Sequence, residues 1–174
     1  MRISLVFVWV FLSSVVFAQN KLSDRIYFGG GGGFSASSSQ TNISVFPQVG
    51  YKITEPYSIG VGLIYQYVKY DNPIDQSVSN YGWSVFNRFN ILEQFFIYAE
   101  FERLTFEFFT DTSFERTDRE GYNSLLLGGG FSNRIGGNAA FNTTVLYNVL
   151  YSSDETSPYN SPWVIRAGVG LGMF

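Results

Sequence analysis

Large apolar residues recur at every second position through most of this chain. Ile59, Val61, Leu63, Tyr65 and Tyr67 alternate with Ser58, Gly60, Gly62 and Gln66. Phe141, Val145, Tyr147, Val149 and Tyr151 alternate with Asn142, Thr144, Asn148 and Ser152. Near the C-terminus Trp163, Ile165, Ala167, Val169, Leu171 and Met173 oppose Val164, Arg166, Gly168, Gly170 and Gly172. A period of two marks strands whose two faces meet different surroundings. The pattern predicts eight strands, over residues 25–35, 41–53, 57–70, 79–91, 95–108, 121–134, 139–152 and 162–174. Each is about ten residues or longer, the length a tilted strand needs to cross a bilayer.

The connections alternate in length. Residues 54–56, 92–94 and 135–138 are tight turns, whereas 35–40, 71–78, 109–120 and 153–161 are longer and polar. An antiparallel barrel with both termini on one side of a membrane produces that alternation. The fold class read from this is all-β, an eight-stranded antiparallel up-and-down transmembrane β-barrel. A strand with a large apolar face needs closure, because an open edge in lipid leaves backbone groups unpaired.

Two places break the pattern. Pro47 sits in mid-strand, where it removes a ladder donor, and is expected to mark a bulge or local irregularity. In the fifth strand Phe95, Ile97, Ala99 and Phe101 share a face, with Glu100 and Glu102 opposite. Leu104, Phe106 and Phe108 then become the apolar set. One extra residue near Glu102 and Arg103 is expected there as a β-bulge.

Composition narrows the class. Aromatics make up 19% of the 174 residues and charged side chains only 14%, well below the usual quarter of a soluble domain. The formal net charge is −3, and no basic patch suggests a nucleic-acid partner. There is no cysteine, hence no disulfide framework and no thiolate metal site. There is also no histidine, which removes the commonest general base and metal ligand. The run Gly29 to Gly33 is not followed by a helix pattern or a Lys-Ser or Lys-Thr pair. It is read as strand glycines that allow bending and leave room inside a barrel, not as a phosphate loop.

Residues 1–18 read as a signal peptide: Arg2 is the positive n-region, 3–17 the apolar core, and Val16-Phe17-Ala18 the cleavage motif. Removing them takes away only Arg2 and moves the net charge to −4. Residues 19–174 are then one barrel domain. Gln19 is not a cysteine, so no lipid anchor is expected.

Certain stretches carry a resemblance: Trp83-Ser84-Val85-Phe86-Asn87-Arg88-Phe89-Asn90, Phe95-Phe96-Ile97-Tyr98-Ala99-Glu100 after a tight turn, Pro47-Gln48-Val49-Gly50-Tyr51, and the terminal Phe174. With these the chain resembles the small eight-stranded outer-membrane barrels of the OmpA/OmpX type, in particular the outer-membrane β-barrel domain proteins of Bacteroidetes-type bacteria. The resemblance implies an outer-membrane location, with outer-membrane lipid and lipopolysaccharide around the barrel. It also implies a monomer, and handling by periplasmic chaperones and the barrel-assembly machinery, with Phe174 as the C-terminal assembly signal. Phe174 alternates with Leu171 and Met173, so it points inward or lies past the last ladder bond.

The expected interior holds Lys52, Arg88, Arg134 and Arg166 with Glu100 and Glu102. An eight-stranded barrel is just wide enough for side chains to fill, and charges there must pair. A packed polar plug is the first reading, a gated pore or proton path the second. Outer-face aromatics such as Tyr57, Tyr67, Trp83, Tyr147, Tyr151 and Trp163 are expected as interface girdles.

No catalytic, cofactor-binding or metal site is expected. The histidine–serine mechanism of lipid-modifying barrel enzymes is closed to a chain without histidine, and Glu100 and Glu102 fit the plug better than acid–base hydrolysis. The leading function is a non-enzymatic outer-membrane protein serving envelope integrity or surface interaction. Eight acids fall in the expected outer loops: Asp71, Asp75, Asp111, Glu115, Asp118, Glu120, Asp154 and Glu155. The alternatives are a narrow ion or solute channel, and a soluble lipocalin-like barrel with its apolar face inward.

Overall fold

The computed structural model describes residues 24–36, 40–71, 75–109, 117–152, 159 and 161–172. Residues 1–18, expected as a signal peptide, Phe174 and four of the acids expected in loops (Asp111, Glu115, Asp154 and Glu155) lie outside the described residues. Eight strands follow in order: β1 (Ile26–Ala36), β2 (Gln40–Lys52), β3 (Tyr57–Tyr70), β4 (Gln76–Asn90), β5 (Phe95–Phe109), β6 (Thr117–Gly136), β7 (Ala139–Asn148) and β8 (Trp163–Leu171). Every neighbouring pair is antiparallel, and β1 meets β8 to close the barrel.

The tight turns between β2 and β3, β4 and β5, and β6 and β7 lie at one end. Ile53 and Thr54 N–H donate to Tyr57 C=O in the first of these, and Ile91 and Leu92 N–H to Phe95 C=O in the second. The third needs its glycine, since Gly137 has φ +54°. β6 and β7 also shift register between Arg134 and Gly136, a local irregularity that the alternation pattern does not reveal.

The apolar face points outward all round. Phe28, Val61, Leu63, Phe95, Ile97, Ile165 and Leu171 are exposed, whereas the residues between them are small, polar or packed inside. A lipocalin-like barrel requires the reverse arrangement. Aromatics gather at both ends of this band. On the loop side Tyr65 is opposite Tyr81, and Tyr147 meets Trp163 edge-on at 5.1 Å. On the turn side Tyr57 is opposite Phe89, and Phe95 meets Phe131 at 5.3 Å. Asn87 is the polar misfit of the band, and Tyr57 Oη donates to its Oδ1 at 2.6 Å.

Two expectations change, and the irregularity expected at Pro47 takes a definite form. No bulge occurs at Glu102 and Arg103: β5 keeps one register along β4 and along β6, and its alternation continues unbroken. Leu104 and Phe106 point inward, into a cluster with Ile64 flanked by Phe46 and Tyr122. Arg103 points outward and donates to Asn123 Oδ1 at 2.9 Å. The polarity of the two faces changes along the strand while the geometry stays constant. At Pro47 the β2–β3 ladder lapses between the Val45 and Gln48 positions but resumes in the same register, because proline lacks the N–H. Finally, Asp118 and Glu120 belong to β6, not to a loop.

Inside, several large rings lie over glycines directly across the strand pair. Tyr27 covers Gly50, Phe86 covers Gly60 and Phe96 covers Gly130. A side chain at any of these glycines would overlap the ring, so small and large residues alternate to fill the lumen.

Candidate functional site

The site that the fold builds is a charge clamp across the middle of the lumen. Glu100 and Glu102 are inward neighbours on β5 and are wholly buried. Arg166 on β8 reaches both: Nη1 donates to Glu100 Oε2 at 2.6 Å, and Nη2 donates to Glu102 Oε1. The two-residue spacing on β5 matches the fork of the guanidinium, which favours such paired contacts. Arg166 lies between the glycine pair Gly168 and Gly170 and the half-buried Val164, and its guanidinium sits 5.2 Å from the Phe46 ring centroid.

Further donors complete the carboxylates. Gln48 Nε2 donates to Glu100 Oε1 at 3.4 Å and to Tyr98 Oη at 3.0 Å. Tyr159 Oη donates to Glu102 Oε2 at 2.6 Å. Tyr159 belongs to the connection between β7 and β8 and reaches the clamp from the loop side of the barrel. Burial, and the Glu102 charge beside it, hold the Tyr159 phenol protonated far above its ordinary range. Sequence reasoning misses Tyr159, because a loop tyrosine carries no periodicity to mark it as inward.

The other expected interior charges do not join this clamp. Arg88 on β4 is buried on the turn side of it. Its Nε donates to Asn90 Oδ1 at 3.0 Å and its Nη1 to Asn142 Oδ1 at 3.4 Å, and the guanidinium lies 3.7 Å from the Phe96 ring centroid. Beside it Tyr27 Oη and Ser58 Oγ share a hydrogen bond of 3.0 Å. Lys52 is only half-buried at the short-turn rim, and Arg134 is exposed there, not interior. Both stand where their strands end and water reaches the mouth of the barrel.

Arg166 separates two cavities. The turn-side one is about 70 Å³ and is bordered by Tyr27, Arg88 and Phe96. The loop-side one is about 210 Å³ and is bordered by Phe46, Ile64, Leu104 and Tyr159. Among the described residues no cluster of acids is arranged to hold a metal ion. At the loop end Lys69 Nζ lies 3.3 Å from Asp71 and 3.2 Å from Asp75, and Arg119 Nη2 lies 3.4 Å from Glu107.

No protein family model matches the chain, and no curated protein matches it. Solved structures do. The outer membrane protein Ail of Yersinia pestis, determined in a phospholipid bilayer nanodisc, aligns with TM-score 0.57 at 12% identity over 84% of this chain and 97% of its own. The fold is that of the small outer-membrane β-barrels of the OmpA/OmpX type. The N-terminal β-barrel domain of OprF from Pseudomonas aeruginosa aligns over 85% of this chain and 96% of its own, at 14% identity and TM-score 0.42.

Proposed function

We propose that the chain is a non-enzymatic integral outer-membrane protein whose lumen is sealed, and that its role is at the surface, in envelope integrity or in contacts made through its outer loops. The observation that carries this reading is the clamp. Arg166, Glu100, Glu102 and Tyr159 join β8, β5 and an outer loop across the middle of the lumen. Phe86, Leu126 and Leu146 are fully buried inside the barrel. A buried ion pair completed by further hydrogen bonds is hard to open, since parting it strands charges in a low-dielectric space.

The same contacts argue against catalysis. Both carboxylates are engaged by a guanidinium and by neutral donors, which leaves neither as a ready general base. The described loop-end acids are not a bare acidic patch either. Lys69 bridges Asp71 and Asp75, so a partner there meets mixed charge, as lipopolysaccharide with its phosphates and cations would offer. Export by the signal peptide, assembly by the barrel-assembly machinery and a monomeric state belong to this proposal.

Conductance in a planar bilayer tests it. The folded protein is expected to be silent in 1 M KCl. Reproducible unitary steps from the wild-type chain would replace the sealed barrel with a channel.

A further inference from the structure

The barrel wall is not fully laced. Among the described residues β1 pairs with β8 only from Phe28 opposite Leu171 to Gly31 opposite Gly168. Beyond that point both strands continue and stay paired on their other sides. Gly32, Gly33 and Phe34 pair with Val45, Ser44 and Ile43 of β2, while Val164 to Ala167 pair with Leu146 to Thr143 of β7. Continuing the seam register would set Gly32 opposite Ala167 and Phe34 opposite Ile165, but no ladder forms there. The seam therefore parts on its loop-side half.

The outward side chains flanking this gap are apolar and stand well clear of the wall. Phe34 is 72% exposed and Ile165 73%, with Val45 beside them. The gap thus opens onto the lipid-facing band. Behind it lies the 210 Å³ cavity, whose border includes both edges of the gap, Gly32 and Gly33 on one side and Val164 to Ala167 on the other. Its inner wall is Phe46, Ile64 and Leu104 with the polar Ser44 and Gln66 beside them, closed below by Arg166 and above by Tyr159. Glycines at the edge of β1 place no side chain in the way. An apolar cavity of about 150 Å³ already takes a benzene ring, so this one has room for a short run of hydrocarbon. Backbone at membrane depth with no ladder partner is tolerated only where something else lines it.

We propose that the parted β1–β8 seam admits one acyl chain of a membrane lipid from the loop-side leaflet into the upper cavity. The chain end packs on Phe46, Ile64 and Leu104. The polar part of the lipid stays at the gap, where the unlaced N–H groups of β1 and β8 meet its ester oxygens. A second copy of the barrel pairing its edge with the seam would use the strand edges but leave the Phe46, Ile64 and Leu104 side of the cavity unfilled, so that apolar side favours lipid.

The chain has no cysteine, which makes a seam lock simple to read. In Phe34→Cys with Ile165→Cys, oxidation before contact with lipid closes the gap, and reductant reopens it. Leu104→Trp fills the cavity from within and needs no disulfide. Each full-length protein is folded in detergent and checked for its shift in gel mobility on boiling. It is then passed through nanodiscs of dimyristoyl phosphatidylcholine and examined by native mass spectrometry. The wild-type barrel is expected to leave with one phospholipid retained. Retention is expected to fall at least tenfold in Leu104→Trp and in the oxidised double variant, and to return on reduction. Equal retention by wild type and Leu104→Trp overturns the proposal, as does a wild-type barrel that leaves bare or leaves as a dimer.

Discussion

Arg166 on β8 meets Glu100 on β5 across the lumen, Nη1 to Oε2 at 2.6 Å, and with its other nitrogen holds Glu102 two residues on. Both acids are buried, so removing the arginine leaves two carboxylates without a countercharge. Arg166→Ala is expected to lower stability by about 3–5 kcal/mol, read by urea unfolding in lipid vesicles with tryptophan fluorescence. Replacing the whole set by Arg166→Met, Glu100→Gln and Glu102→Gln is expected to recover most of that loss. Partners of one network do not add, and the triple variant strands no charge.

Tyr27 stands over Gly50, directly opposite it in the β1–β2 ladder. A methyl group at Gly50 would overlap the ring and displace its hydroxyl from Ser58. Gly50→Ala is therefore expected to cost about 1–3 kcal/mol, the range for overpacking. Adding Tyr27→Val removes the obstruction, so the double variant is expected to be more stable than Gly50→Ala alone in the same unfolding assay.

On the lipid-facing band, Asn87 depends on Tyr57 for a donor. Tyr57→Phe removes the hydroxyl and is expected to cost about 0.5–1.5 kcal/mol, the net contribution of one hydrogen bond at an exposed position. In an Asn87→Val background the same Tyr57→Phe change is expected to have little effect. Equal effects in both backgrounds would show that the hydrogen bond is not what matters.

The unbroken phase of β5 also has a direct readout. Leu104 points into the lumen and Arg103 away from it. In the folded barrel Arg103→Cys is expected to react quickly with a water-soluble maleimide, and Leu104→Cys at least tenfold more slowly. A bulge at this point would reverse that order.

Strand number and alternation were legible because period two is imposed by backbone geometry, and a bilayer makes one face apolar over most of its length. The apparent slip at Glu102 and Arg103 has the same origin. A reading that assigns one polarity to each face fails where the strand leaves the hydrocarbon and the lumen turns apolar at Leu104 and Phe106. The placement of Glu100 and Glu102 on one face followed from alternation, but their capture by Arg166 needed the barrel to close. Tyr159 was out of reach because its role comes from where a loop folds back. The pairing of Tyr27 with Gly50 and of Phe86 with Gly60 depends on register, which alternation alone does not supply. Gly29 to Gly33 read as room inside the barrel. In the structure they form β1's side of the seam, paired with β8 only as far as Gly31.

The proposed role requires a membrane barrel with its apolar face to lipid. The most direct measurement is gel mobility of the protein from a bacterial outer-membrane fraction, with and without boiling. The expected result is recovery in the membrane fraction, and a fast, compact band that slows after boiling, because a closed barrel resists detergent until heated. A protein found in the soluble periplasm, with one mobility under both conditions, would rule out a membrane barrel.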